Sequence, residues 1–477
     1  MTITSTGEKH SDWQAFANTK LLPQDPKTQG TALGLYSLVA ELPIISPHGH
    51  VDPNLLLENK PFSNPAELFI YFDHYVTRLL NADGVDYRLV RSPDKDQDLD
   101  AHARRAWREF AKRYHLYAGT SSGFWLAHEF ESIFGLDIDQ IGERADEFFD
   151  QIAAALTKPE MLPRALFERF KIEVLATTDS PTDDLAAHTA LKGQLTGRIA
   201  PTFRPDAFIN PLAPGWLKRA QLIAEQTGQP MTQDGFVAAL AIRREFFKSQ
   251  GGFSVDIGAE TAYTTILEPK TAQSLYEKAV LGTITADEAL QYRGHMISEM
   301  VRMSCEDGLV ITLHVGVYRN HSTATLKTFG PDSGHDIPIR AEFVKNLHPV
   351  LERYGLHPNL HLILFCLDET AWSREIAPLA GFYPSVFVGA PWWFMDAPFA
   401  ANRFREATVE TAGFYRSSGF IDDTRAFLSI PARHDMARRV DSGFLAELVS
   451  RGQISLKTAE KIAVDLVVEI PKRAFKL

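Results

Sequence analysis

Ile44-Ile45-Ser46-Pro47-His48-Gly49-His50-Val51-Asp52-Pro53 joins a short apolar run to two histidines one residue apart. If the run is a β-strand, alternate side chains share a face, so His48 and His50 point the same way and can address one metal ion. Two loop histidines with no common partner fit the pair equally well, because a metal site needs more than two protein ligands. A third ligand and a substrate pocket must come from elsewhere in the chain.

Composition narrows the partners. The chain has 477 residues, 45% hydrophobic and 23% charged, enough for one large domain with an extension or for two or three domains. Its net charge is -11 and its basic residues are scattered, which argues against nucleic acid and for a small soluble substrate. Cys305 and Cys366 are the two cysteines, so there is neither a disulfide framework nor a C-x-x-C site. Glu8, Lys9, His10 and Asp12 interrupt any signal-peptide core, and no apolar stretch approaches the about 18 residues that cross a bilayer. The expectation is a reduced, cytoplasmic protein without a membrane partner. Oligomeric state stays open, a homo-oligomer included.

Outward from the histidine pair, residues 53–173 carry helical patterns and almost no strand signal. Leu, Phe, Ile and Ala recur at spacings of three and four within 64–80, 100–117 and 138–156. This predicts a large helical insertion, residues 54–171, after a first segment 1–53 that ends in the first strand. From 172 to 477 the texture changes to short β-rich runs at 172–178, 199–204, 253–257, 309–314, 360–367, 386–390 and 420–421. Helical patterns at 217–227, 237–249, 272–281, 286–305 and 341–354 lie between them. With 43–47 the runs number eight, and eight strands alternating with helices predict an α/β fold of the TIM type, a (β/α)₈ barrel. A doubly wound open sheet is the alternative, but no G-x-G-x-x-G or G-x-x-x-x-G-K-[ST] follows any run.

In such a barrel the chemistry sits at the C-terminal ends of the strands. Those ends carry His48 and His50, Thr177-Thr178-Asp179, Arg204-Pro205-Asp206, Asp256, His314, Asp368-Glu369, Trp392-Trp393 and Asp422-Asp423-Thr424-Arg425. Strands one and eight are neighbours in a closed barrel, so a carboxylate from the eighth can complete a site with His48 and His50. Asp423 is the choice over Asp422, since only one of two adjacent residues faces inward. His314 is a further candidate, as a ligand or as a hydrogen-bonding group beside the site. Arg204 and Arg425 project toward the same mouth, where a guanidinium fork matches a carboxylate; an ion pair with a neighbour such as Asp206 is the bland reading. Trp392 and Trp393 wall a pocket or pack against a helix. Neither cysteine stands in a thiol-enzyme pattern.

The ordered set of motifs resembles the uronate (glucuronate) isomerase family of the amidohydrolase superfamily. It comprises His48-Gly49-His50, Asp73-His74-Tyr75, Thr177-Thr178-Asp179-Ser180-Pro181, Arg204-Pro205-Asp206, His314-Val315-Gly316 with Arg319-Asn320, Phe329-Gly330-Pro331-Asp332, Trp392-Trp393-Phe394 and Asp423-Thr424-Arg425-Ala426-Phe427. The resemblance implies conversion of D-glucuronate to D-fructuronate and of D-galacturonate to D-tagaturonate through proton transfer between C2 and C1. It implies a divalent metal, usually zinc, on His48, His50 and Asp423, and a sugar acid met by Arg204, Arg425 and Arg319, with His314 and a tryptophan of the Trp392-Trp393 pair lining the pocket. His74 and Tyr75 would reach over from the insertion to join Asp423 and Arg425 in catalysis. Ser46 and Gly49 depart from the Asp and the Cys or Thr the family carries there, and the proposed ligands stay in place. The alternative from another class is a metal-dependent amidohydrolase or lactonase acting on an acidic small molecule.

Overall fold

Seven of the eight expected runs form hydrogen-bonded strands in the computed structural model, which describes residues 19–92 and 98–477. One parallel sheet has the order β1 (Ile44–Ser46), β2 (Ile172–Ala176), β3 (Arg198–Ala200). The other runs β4 (Thr202–Phe203), β5 (Ser254–Ala259), β6 (Val310–Val315), β9 (Leu362–Cys366), β10 (Val386–Val388). The run expected at 199–204 is thus two strands, parted at Pro201, which has no N–H to give to a ladder. A short antiparallel ribbon, β7 (Val317–Tyr318) with β8 (Ile337–Pro338), brackets the loop between them. The result is an α/β fold with parallel sheets.

The run at 420–421 forms no regular strand. Gly419 at φ 70° and Asp423 at φ 42° leave the extended region, and Ser418 Oγ bonds the Gly419 carbonyl and the Ala390 N–H. Segment 417–424 still lies beside its neighbours: Ser418 N–H donates to the Val388 carbonyl at 2.8 Å, and His50 N–H to the Thr424 carbonyl at 2.9 Å.

Strands buried on both faces read as apolar runs, and all six residues of β6 are buried. Between β1 and β2 come the helices Pro53–Glu58, His74–Ala82, Leu99–Lys112, Ser121–Phe134, Ala145–Leu156 and Pro163–Arg169, with no strand among the described residues. Trp107, Phe110, Phe130 and Phe149 form their core, which continues into Ile172 and Leu175 of β2. Each such ring contributes about 2–3 kcal/mol by leaving water. Trp107 is fully buried and satisfies its Nε1–H on the Ala145 carbonyl at 2.7 Å.

The helix expected across 64–80 is broken. A π-helical turn, Glu67–Tyr71, gives way to the helix His74–Ala82, and the Asp73 carboxylate accepts the N–H groups of Tyr75 (2.8 Å) and Val76 (3.2 Å). That cap stabilises a new helix start more than periodicity favours continuation. It also sets His74 and Tyr75 in the first turn. The C-terminal helices Ile430–Ser450 and Leu456–Val467 pack against Pro26–Val39. No helix among the described residues is long and apolar enough to cross a membrane. The expectation about the first dozen residues lies outside the described residues.

Candidate active site

Pro47 ends β1, and the next residues turn His48 and His50 toward segment 417–424. His48 Nε2 lies 3.2 Å and His50 Nε2 2.9 Å from Asp423 Oδ1. Asp423 reaches this position through its left-handed backbone, a conformation that costs about 1–2 kcal/mol for a non-glycine residue. Trp393, Asn320 and Asp332 also have positive φ and border the same cleft, so strained backbone gathers there.

A second layer lies beneath. Asp256 of β5 and His314 of β6 face each other, with His314 Nδ1 2.9 Å from Asp256 Oδ1 and Thr312 Oγ1 3.3 Å from the same oxygen. Arg204, after β4, lies 3.4 Å from Asp256 Oδ2 through Nη1 and 2.9 Å from Asp206 Oδ2 through Nε. The His314 ring stacks on His48 at 4.6 Å and on Phe365 at 4.3 Å, and meets the edge of Trp392 at 4.7 Å. A carboxylate on Nδ1 places the ring proton there, so His314 Nε2, buried and without a hydrogen-bond partner among the described residues, keeps a free lone pair.

Burial and charge set the protonation states. Burial lowers the His50 pKa, with Arg204 and His48 adding to the effect, and keeps its imidazole neutral. Burial also opposes the His48 imidazolium, but the carboxylates of Asp256 and Asp423 outweigh it and raise the His48 pKa. Burial works against the Asp423 carboxylate too, yet His48 and His50 hold it well below the usual range. His314 is lowered by burial, against the pull of Asp256. Burial lowers His74 to about 4, with Arg425 adding to the effect, and raises the Tyr75 phenol well above its ordinary value.

The donor set fits a divalent cation. One atom each from His48, His50 and Asp423 lie within 4.8 Å of one another. Asp423 Oδ1 is buried and, though both Nε2 atoms approach it, completes no hydrogen bond, as expected of lone pairs aimed at a shared centre. His48, Asp256 and His314 make a second convergent group sharing His48.

Above these residues opens a cleft of ≈ 1490 Å³. His50, Asp423, Arg204, His314, His74, Tyr75, Trp392, Trp393, Arg319 and Arg425 all border it, while His48 lies behind its wall. The His74 ring stacks on Tyr75 at 4.6 Å and meets the edge of Trp393 at 5.9 Å, so the helix His74–Ala82 touches the segment after β10. Arg319 is tied to Asp336 at 2.8 Å and lies over Trp393, whereas Arg425, among the described residues, pairs with Asp332 alone, at 3.9 Å. Of the three arginines, Arg425 has the loosest tether.

Among residues close to these groups, Asp256 stands among the strand-end residues of the sequence without a role, and Arg433 and Asp396 carry none there. Asp256 had a readable signal, a carboxylate inside an apolar run on the same strand face as Ser254. Arg433 reads as an ordinary charge in an amphipathic helix. It is buried all the same, with Nη1 donating to Asp396 Oδ2 at 2.9 Å. Burial pushes Asp396 up to about 7, against the pull of Arg433.

Known proteins resemble this one over nearly the whole chain. A sequence profile of glucuronate isomerase matches residues 20–475. The uronate isomerase of Xanthomonas axonopodis pv. citri is 47% identical over 461 residues, 96% of this chain and 98% of that protein. The crystal structure of glucuronate isomerase from Caulobacter crescentus superposes with a TM-score of 0.92 at 43% identity, covering 99% of this chain and 97% of that one. That of uronate isomerase from Thermotoga maritima gives 0.88 at 30% identity, covering 99% and 100%.

Proposed function

The chain belongs to the glucuronate isomerase family, and from that premise we propose that it interconverts D-glucuronate with D-fructuronate and D-galacturonate with D-tagaturonate. The observation that carries the reading is the convergence of His48 Nε2, His50 Nε2 and Asp423 Oδ1 beside a cleft bordered by Arg204, Arg319 and Arg425. We propose further that the two sheets and segment 417–424 close into a (β/α)₈ barrel. The backbone bonds from Ser418 to Val388 and from His50 to Thr424 support closure. The helices of 54–171 then act as an insertion that carries His74 and Tyr75 to the barrel mouth.

In the reaction C2 loses hydrogen and becomes the carbonyl, C1 gains hydrogen and becomes the alcohol, and a cis-enediol lies between. His48, His50 and Asp423 would hold a divalent cation, zinc by family resemblance, that supplies Lewis acidity to a substrate oxygen. Arg425, loosely tethered, takes the sugar carboxylate as a bidentate partner, and Arg204, braced by Asp206 and Asp256, stabilises charge developing on oxygen. His314 Nε2 accepts a hydroxyl proton, because Asp256 holds the ring proton on Nδ1 and burial keeps the imidazole neutral. Tyr75, its phenol kept neutral by burial, donates a hydrogen bond. Trp392 and Trp393 exclude water from the enediol.

The test is a nuclear magnetic resonance assay of D-glucuronate and D-galacturonate beside a panel of lactones and amides. Ketose formation from both uronates is expected. Turnover of a lactone or amide without any ketose would replace this reading with metal-dependent hydrolysis.

A further inference from the structure

Asp423 aims its carboxylate at His48 and His50 from a left-handed backbone, and both flanks of that strained residue are gripped from one side chain. On the N-terminal flank, Arg433 Nη1 donates to the Asp422 carbonyl oxygen at 3.1 Å. That oxygen belongs to the peptide joining Asp422 to Asp423, so the bond fixes the plane from which the Asp423 φ of 42° departs. On the C-terminal flank, Arg433 Nε donates to Ser429 Oγ at 3.0 Å, and Ser429 Oγ lies 3.3 Å from Thr424 Oγ1, which caps Ala426 N–H at 2.9 Å. The turn holding Arg425 is therefore tied to the same guanidinium.

Arg433 is itself held from two other parts of the chain. Asp396, in the segment after β10, receives Nη1 at 2.9 Å, and the guanidinium lies 3.5 Å from the centre of the Trp125 ring. Trp125 belongs to the helix Ser121–Phe134 and meets Tyr75 edge-to-face at 5.4 Å, with Tyr75 itself 5.8 Å from Arg433. A lysine, with one nitrogen and no planar fork, cannot make the carbonyl, hydroxyl, carboxylate and ring contacts together. Burying a guanidinium this completely is unfavourable unless every contact is made, so the site demands arginine rather than a generic cation.

We propose that Arg433 is the positioning residue of the metal centre: it holds Asp423 in its left-handed, ligand-aiming conformation and locks that geometry to the Tyr75-bearing insertion through Trp125. The inference rests on the reading of His48, His50 and Asp423 as metal ligands.

The experiment measures zinc affinity by chelator competition on the full-length chain, with Arg433→Ala, Arg433→Lys and Asp396→Asn beside the parent. Loss of groups that orient ligands costs about 10–100-fold in metal affinity. Arg433→Ala and Arg433→Lys are expected to weaken zinc at least about tenfold, and added guanidinium ion to restore most of the loss in Arg433→Ala, which a general packing defect would not permit. Asp396→Asn keeps the guanidinium but loosens its anchor, and is expected to weaken zinc by a smaller factor; it carries the test if the arginine variants do not fold. Affinity within twofold of the parent in the folded variants, or a loss that guanidinium leaves untouched, overturns the inference. A parent that binds no zinc sinks the metal reading and the inference with it, whereas a zinc-binding parent beside unaltered variants sinks the inference alone.

Discussion

Replacing Asp256 by asparagine separates a positioned histidine from a merely buried one. The carboxylate is 2% exposed, accepts His314 Nδ1 at 2.9 Å and Thr312 Oγ1 at 3.3 Å, and faces Arg204 Nη1 at 3.4 Å. At an effective dielectric of about 20, that last pair attracts by about 5 kcal/mol. Burying the charge costs several kcal/mol in return, and the isosteric amide removes both terms. Arg204 keeps Asp206 at 2.9 Å, so the net loss of stability is about 1–2 kcal/mol and the melting temperature falls by a few degrees at most. Catalysis suffers far more. An asparagine can turn its NH₂ toward His314 Nδ1, driving the ring proton to Nε2, so that the proposed acceptor becomes a donor. Loss of a general base costs about 10²–10⁴ in rate. Steady-state kinetics on D-glucuronate should therefore show kcat reduced by at least about a hundredfold with KM changed by much less. A kcat within about threefold of the parent would refute the role of the His314–Asp256 pair.

Two further outcomes follow from carboxylates between β1 and β2, Glu129 buried and Asp73 half-buried. Burial, with Asp73 adding to it, pushes Glu129 from its ordinary 4.5 up to about 8. The folded state thus holds a proton that the unfolded state releases above 4.5, and the stability contributed by neutral Glu129 is full below pH 4.5 and is lost as pH rises through about 8 at up to about 1.4 kcal/mol per unit. Denaturant titrations across that window should give a smaller decline for Glu129→Gln than for the parent, and identical slopes would contradict it. Asp73→Ala removes the cap on Tyr75 and Val76 and should cost about 1 kcal/mol in stability, together with a loss of kcat as His74 and Tyr75 shift; full activity would separate the cap from the site.

Much of the architecture is readable because parallel strands covered on both faces leave apolar runs, as at Val310–Val315 and Leu362–Cys366. The histidine pair is readable because it directly follows a strand, and Asp423 because its residue type closes an expected one. Other features are written in interactions that no period carries. The strand expected at 420–421 dissolves because Ser418 satisfies backbone groups through its hydroxyl and Asp423 adopts φ 42°. The break at Asp73 is hidden by apolar spacing that continues across it, although Asp before a helical run is itself a cap signal. Arg433 carries no local mark: only the fold brings Trp125, Asp396 and the Asp422 carbonyl around one helical side chain.

The most direct measurement of the central claim is the rate of ketose formation from D-glucuronate by zinc-loaded parent and Asp423→Asn proteins. Asparagine tolerates the left-handed backbone, so the variant should fold with an unchanged circular dichroism spectrum. It loses the ionised oxygen that meets both His48 Nε2 and His50 Nε2. With several kcal/mol of transition-state stabilisation withdrawn, turnover should fall by at least about a thousandfold. A folded Asp423→Asn protein that forms ketose at a rate comparable to the parent would contradict the account.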